Sequence, residues 1–389
     1  MRNFFLMLIV LSNSIWAQTA KIEGVIKDAE TLLPISYVNI YTEAELKNNS
    51  TGSISNENGE FVVDESKSKT TFSHINYDTY TVETNEALKE VFLIPKNYVL
   101  DEIVVSNEKS SAYLKRIIEF SKKRLDKNIL LKAYAREIVK VNNEYTKYSD
   151  ALLDYYVKKD NGKSTVIMGQ HRALHNSKLD EEEEGNMNNV NSAFNVKDYV
   201  KSSYNFDEIE KILKDKEYEF ERRIKKEADG SEYEFVTVIP NEQSKKFLLK
   251  GYVIIDPTTK SILEYKLYSS ESHFKNSKLM SILIAKVKLN KFLIWSKFKN
   301  INDQYILNYN KKEIAMYIKM GKRVDDSFDF SNDLFIYEFK KDVQIPEKGY
   351  DKKTIFEAGT DFTENFWTKY NVFPLSESDE KFINSVQPK

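Results

Sequence analysis

Any catalytic chemistry in this 389-residue chain has to come from four histidines, 60 Asp and Glu, and hydroxyls, because the chain has no cysteine. A hydrolytic zinc ion would then rest on His and carboxylate alone, with three protein ligands and one open position. The histidines stand in "HINY" (His74), "HRAL" (His171), "HNSK" (His175) and "HFKN" (His273). None has Glu at the third position after it, and no His-Glu-x-x-His occurs, so no metal ligand is assigned. There is no Gly-x-Ser-x-Gly elbow to present a hydrolase serine. Four scattered histidines give no support to a Ser-His-Asp triad either. A glycosidase-type carboxylate pair stays open, since so many acids always allow some pairing. Two acidic stretches fail as calcium loops. "LDEEEEGNMNNVNS" has four consecutive Glu without the alternating spacing that aims ligands at one ion, and "VDDSFDFSNDLF", with Asp326, Asp329 and Asp333, reads as a turn. Trp295 and Trp367, with Tyr265, Tyr268 and Tyr305, could line a sugar-binding or apolar surface, but aromatics at alternating strand positions are more often core. The expectation is no catalytic residue, no metal, no cofactor and an unassigned binding site.

The elements that would position such groups are mostly strands. The chain is 41% hydrophobic and 30% charged, with 24 Tyr and 23 Phe against 11 Gly and 7 Pro, a strand-favouring and linker-poor composition. Arg2, the apolar run 4–11 and Ala17 before Gln18 predict a signal peptide over 1–17, much shorter than the ~20 residues that cross a bilayer. Export without cysteine predicts neither disulfides nor lipid attachment, and fits a bacterial periplasm, an outer-membrane association or secretion. From Gln18 to Ser106 there are 7 Lys, no Arg and 15 Asp or Glu, a net of −8; beyond that, 50 basic and 45 acidic residues leave +5. Neither half concentrates a basic face, so nucleic acid is not expected.

Within 18–106, alternating runs such as "KIEGVIK", "ISYVNIY", "EFVV", "TTFSHINYDTYTV", "EVFLIP" and "LDEIVV" predict a seven-stranded β-sandwich. "SNENGEF" reads as a tight connection inside it. Asn56 and Asn58 bond their own backbone, Gly59 takes a positive φ and Phe61 enters the core. A phosphate-cradling loop would lead into a helix with a Lys behind it, whereas here a strand follows. These residues carry a resemblance. "IEGVIKDAETLLPISYVNIY", "TGSISNENGEFVV" and "LDEIVV" resemble the carboxypeptidase-D regulatory-like domain, a transthyretin-like sandwich common in Bacteroidetes-type envelope proteins. Gly24, Asp28, Thr31, Pro34, Ile35, Thr51, Gly52, Gly59 and Phe61 match its motif, with Val38 and Asn56 departing from it. The resemblance implies an accessory module without chemistry of its own. The zinc pair of the carboxypeptidases themselves is missing here.

Leu114, Ile117, Ile118 and Leu125 at helical spacing predict a bridging helix over 107–128, capped by Ser110 or Ser111, its basic face solvated. An antiparallel β-rich domain is expected over 129–389, with an exposed, partly disordered insertion near 158–206. "YVIIDPTTKSILEYKLY" and "KAYAREIVKVNNEYTKYSDALLDYY" resemble the sheet domain that follows such sandwiches and, more faintly, a lipoprotein-carrier half-barrel. The predicted whole is mainly β: a non-enzymatic envelope protein binding an envelope partner or an apolar, peptide or glycan ligand. The alternative is an envelope hydrolase acting through carboxylates of the second domain. A small outer-membrane barrel is disfavoured because Lys286 and Lys288 fall on the opposite parity from Lys297 and Lys299.

Overall fold

The computed structural model describes residues 21–64, 69–85, 88–96, 98–104, 107–159, 162–176, 192–227, 230–321, 324–370 and 373–386. The expected signal peptide and the Glu run 181–184 lie outside them. The fold is mainly β. Strands β1 (Lys21–Asp28), β4 (Glu60–Asp64) and β7 (Glu90–Leu93) form one sheet; β2 (Asn39–Tyr41), β3 (Ser53–Ile54), β5 (Lys69–Ser73) and β6 (Tyr80–Glu83) form a second. A short helix, α1 (Glu43–Lys47), follows β2 with a Thr42–Glu45 capping box. Ile22, Ile26, Val38, Ile40, Phe61 and Phe72 close the core between the two sheets.

The motif residues mark the joints of this lobe. Asp28 accepts from the backbone N–H of Glu30 and of Thr31 and from the Tyr77 hydroxyl, each at 2.8 Å, closing the turn that Pro34 leaves through a bridge to Lys27. Gly24 passes so close to β7 that a Cβ would sit 2.6 Å from the Lys89 carbonyl, against the Phe61 ring. Gly52 (φ +82°) precedes β3 and Gly59 (φ +74°) precedes β4. Asn56 Oδ1 accepts from the N–H of Asn58 and of Glu60, both at 3.0 Å, so one side chain fills the "SNENGEF" turn.

"LDEIVV" does not close this lobe. Its Leu100–Ile103 belong to β8 (Tyr98–Ile103), which pairs with β12 (Tyr218–Glu227) at the edge of a much larger sheet. Helix α2 (Ser110–Arg124) follows, with Lys109 rather than a serine at its N-cap and no side-chain cap bond. The large sheet has twelve strands: β11 (Ser164–His175), β10 (Glu144–Val157), β9 (Ile129–Val141), β19 (Val324–Lys341), β18 (Gln304–Met320), β17 (Ala285–Ile301), β15 (Ser261–Ser269), β14 (Leu249–Asp256), β13 (Glu232–Pro240), β12 and β8 in that order, with β16 (Met280–Ile282) beside β17. Tight turns join neighbours, with Asn142-Asn143 and Asn302-Asp303 supplying the left-handed backbone that two-residue hairpins need.

Three expectations about this half need correction. The region near 158–206 is not one exposed insertion. It includes the full-length strand β11 and helix α3 (Asp198–Tyr204), whose Tyr199, Val200 and Tyr204 are core. "VDDSFDFSNDLF" is not a turn but the first two-thirds of β19, whose acids lie along a strand and of which Asp333 is buried against Arg136 and Lys311. Finally, the four lysines lie on one face of β17. A β-bulge between Leu289 and Lys291 inserts one residue, so even-numbered lysines before it and odd-numbered ones after it point the same way.

Candidate functional site

The large sheet is covered on both faces, by different things. On one face Ile129, Leu131, Ala133 and Ala135 of β9, with Leu153 and Tyr155 of β10 and Ile294 and Phe298 of β17, pack against Leu114, Ile117 and Ile118 of α2, Tyr199 and Val200 of α3, and Ile209 and Ile212 of α4 (Asp207–Lys214). On the other face Tyr134, Trp295, Tyr309 and Phe335 meet Tyr37 and Ile54 of the sandwich and Phe373 of the C-terminal segment. Period-two alternation along each strand feeds these two cores with different residues.

The sandwich side holds most of the buried charge. Arg136 reaches Asp379 Oδ2 at 2.7 Å, Asp333 Oδ2 at 3.2 Å and Glu57 Oε2 at 3.5 Å, and lies over the Phe373 ring. Asp379 sits in helix α6 (Glu377–Val386), beyond the short α5 (Phe366–Lys369). Asp333 also takes Lys311 at 3.2 Å and the Tyr309 hydroxyl at 2.5 Å. Burial pushes its carboxyl up, but Lys311 and Arg136 outweigh that and hold it low. Beside this network Arg172 grips Asp150 with two bonds of 2.8 and 2.9 Å, while Tyr134 and Tyr148 donate to the same carboxylate. Glu264 accepts from Trp295 and Tyr252 on this side, whereas Glu234 lies on the helix side, where it accepts from Arg222, Lys260 and Tyr113 of α2. Every one of these acids is saturated by fixed donors, the signature of a structural ion network. On the helix side Glu137 is pushed up to about 7 by burial, yet it too is bound, by the Tyr199 hydroxyl and the Ile355 N–H.

A different surface is left unfinished. Toward their far ends, strands β17 to β19 carry the margin of the helix-side core, where Phe292, Ile314, Met316, Ile318 and Met320 pack against it but are only partly buried. Register places Met280 beside Val287, Val287 beside Ile318, Leu289 beside Met316 and Phe292 beside Ile314. Met316 in turn lies beside Phe328 and Ile314 beside Phe330. The innermost of this row, Phe328 and Phe330, are buried, whereas Val287, Leu289, Phe292, Ile314, Met316, Ile318 and Met320 are only half-buried. Exposure then rises steeply along the β16–β17 hairpin: Ile282 52%, Met280 55%, Ile284 83% and Leu283 97%. The opposite face of the same strands carries Lys286, Lys288, Lys291, Tyr317 and Lys319. The result is an apolar sheet end with one cationic back, open toward a hairpin tip.

A second opening, a groove of about 500 Å³, lies on the other face of β12 to β15, between Arg223, Lys225, Phe235, Tyr252, Tyr268 and Asn76 of the sandwich. It is shallow and mixed in polarity. Of the aromatics singled out in the sequence, Tyr268 lines it, Trp295 and Trp367 belong to the contact between sheet, sandwich and C-terminal segment, and Tyr265 and Tyr305 are core. The structure brings none of the four histidines together: His74 is in the sandwich, His171 bridges to Asp361, His175 ends β11 and His273 bonds Asn241 and Ser270. The apolar end escaped sequence reading because the bulge at Asn290 hides its alternation, although "LMSILIA" was itself a visible apolar run.

No protein-family description matches the chain, and no curated protein does. Among solved structures, a DUF1329 family protein from Desulfovibrio piger is similar over 62% of this chain and 96% of its own, at 8% identity and a TM-score of 0.25. Lipovitellin is similar over 63% of this chain and 28% of its own, at 7% identity and 0.24. A LolA superfamily protein from Nitrosomonas europaea covers 62% and 96%, at 10% identity and 0.22. Superpositions this loose carry no argument about ligand or activity. No described helix is long and apolar enough to cross a membrane.

Proposed function

We propose that the chain is a non-enzymatic binding protein of the bacterial cell envelope, and that the open end of its large sheet holds an aliphatic ligand such as a lipid acyl chain. The observation that carries the reading is the half-buried row of Val287, Leu289, Phe292, Ile314, Met316 and Ile318, on the face that helices cover elsewhere. A contiguous apolar surface of this kind is costly to leave wet, and monomeric proteins that keep one use it for contact. Met316, with Met320 further along the same strand, suits a ligand of variable shape, because an unbranched thioether repacks easily. The envelope assignment rests on the signal-like start and on the resemblance of the first lobe to carboxypeptidase-regulatory sandwiches. The hydrolase alternative loses support because the buried carboxylates are occupied by arginine, lysine and tyrosine rather than turned toward a cleft.

The test is binding of a fluorescent fatty acid to the full chain. Met316→Asp with Ile318→Asp should weaken saturable binding at least tenfold, since two charges would have to be buried against the ligand. Tyr317→Ser, on the opposite face between them, should leave it unchanged. No saturable binding by the parent chain, or equal loss with Tyr317→Ser, would overturn the reading.

A further inference from the structure

The β16–β17 hairpin is built against the ordinary rules for a turn. Its two central residues are Leu283 and Ile284, and Leu283 takes a φ of +53°. The sheet's two-residue turns Asn142-Asn143 and Asn302-Asp303 use the same left-handed region with the residues that tolerate it. A leucine there is strained and nearly fully exposed, so neither turn geometry nor core packing accounts for its choice. Around it, no acid occurs between Glu271 and Asp303, while Lys275, Lys278, Lys286, Lys288 and Lys291 do. Among the described residues Lys278, Lys286 and Lys288 have no carboxylate within ion-pair distance.

We infer that this hairpin docks the protein on a bilayer surface bearing anionic headgroups. Leu283 and Ile284, with Ile282 behind them, enter the boundary between headgroups and acyl chains, and the lysines along β17 extend their ammonium groups to the phosphates. Charge complementarity argues for lipid over a protein partner. Protein hot spots are enriched in Trp, Tyr and Arg set in shaped pockets, whereas this tip offers exposed aliphatic side chains and lysines. The inference is independent of a ligand held by the sheet, because the hairpin's contact would be made by its outermost residues.

Co-sedimentation of the full chain with vesicles tests it, using pure phosphatidylcholine and phosphatidylcholine with phosphatidylglycerol. The parent should bind the anionic vesicles and lose that binding steeply with salt. Leu283→Asn with Ile284→Gly replaces the strained tip by a favoured turn, so the melting temperature should hold or rise while vesicle affinity falls at least tenfold. Lys286→Glu with Lys288→Glu should lower affinity for anionic vesicles by a similar factor and leave the weak binding to neutral ones. Absence of parent binding, or full binding by the tip variant, would overturn the inference. So would a parent that self-associates on size exclusion and becomes monomeric in the tip variant, which would make the hairpin an interface between copies. Fatty-acid binding by the sheet should survive the tip substitutions, which separates failure here from failure of the ligand reading.

Discussion

Asn56, Glu57 and Gly59 lie within four positions of one turn and act on two lobes. Asn56 caps its own turn and donates to the Leu375 carbonyl at 3.1 Å, and Glu57 faces Arg136 across the contact. The turn itself was legible in "SNENGEF", because Asn and Gly have one physical use there. Its role as a contact was not, since nothing local in a sequence says which surface a turn will meet. Gly59→Val would bring a Cβ within 2.6 Å of the Ile26 carbonyl at a φ of +74°. The cost should be about 1–3 kcal/mol, read by urea unfolding. Glu57→Gln, which as a plain surface change would be silent, should cost up to about 1 kcal/mol in the full chain; its side chain is 40% exposed, so solvent screens most of the pairing. Arg136→Met should cost far more, about 3–5 kcal/mol, because Asp333 and Asp379 would lose their common cation inside the protein. Equal unfolding midpoints for the Glu57 and Arg136 variants would contradict this ranking.

Strands were legible wherever one face is apolar and the other polar, as in β14 and β15 joined by the Asp256 turn. They were misread where both faces are buried or where a bulge intervenes. A bulge in β19 also makes a joint: the extra residue, Tyr337, turns its carbonyl to the Thr51 N–H at 2.9 Å, and the neighbouring Ile336 carbonyl takes the Thr51 hydroxyl. Along β17 the same contact buries cations. Lys297 Nζ donates to the Tyr37 carbonyl at 2.9 Å, and Lys299 Nζ is buried without a hydrogen-bond partner, 5.2 Å from the Tyr41 ring. Burial lowers Lys299 to about 7, helped by Lys297, and burial lowers Lys297 to about 8 despite Glu264. An unfolded lysine keeps its proton to about 10.4, so above pH 7 the unfolded chain binds more protons than the folded one and stability rises with pH. Glu137 works the other way, but only between its unfolded value and about 7. From pH 7 to 9.5 the unfolding free energy should therefore rise by on the order of 2 kcal/mol in urea titrations. Lys299→Met should flatten that slope and be more stable than the parent at pH 7; a parent slope of zero or below would refute the assignment.

At the scale of the whole molecule, the chain does not divide where its composition does. The acidic first quarter ends near Ser106, yet β8 within it is an edge strand of the large sheet, and Tyr37 and Ile54 belong to a core shared with β9, β17, β18 and β19. Main-chain bonds from Asn49 and Thr51 to β19, a buried Arg136 network and a T-shaped Tyr37–Trp295 contact with ring centroids 5.2 Å apart cross the same boundary. Two lobes joined so extensively should unfold together, because opening either one strands buried charge and aromatic surface on the other. Calorimetry of the full chain should give one transition whose van't Hoff and calorimetric enthalpies agree. The segment 18–106 expressed alone should fare worse than its seven-strand core suggests. With β8 unpaired and Tyr37 and Ile54 wet, it should bind a hydrophobic dye and self-associate on size exclusion, and truncation after Lys96 should relieve only the part due to β8. Two well-separated transitions in the full chain, with the upper or lower one matching a monomeric, dye-silent 18–106 segment, would mean the sandwich is an autonomous domain and the shared core contributes little to holding the lobes together.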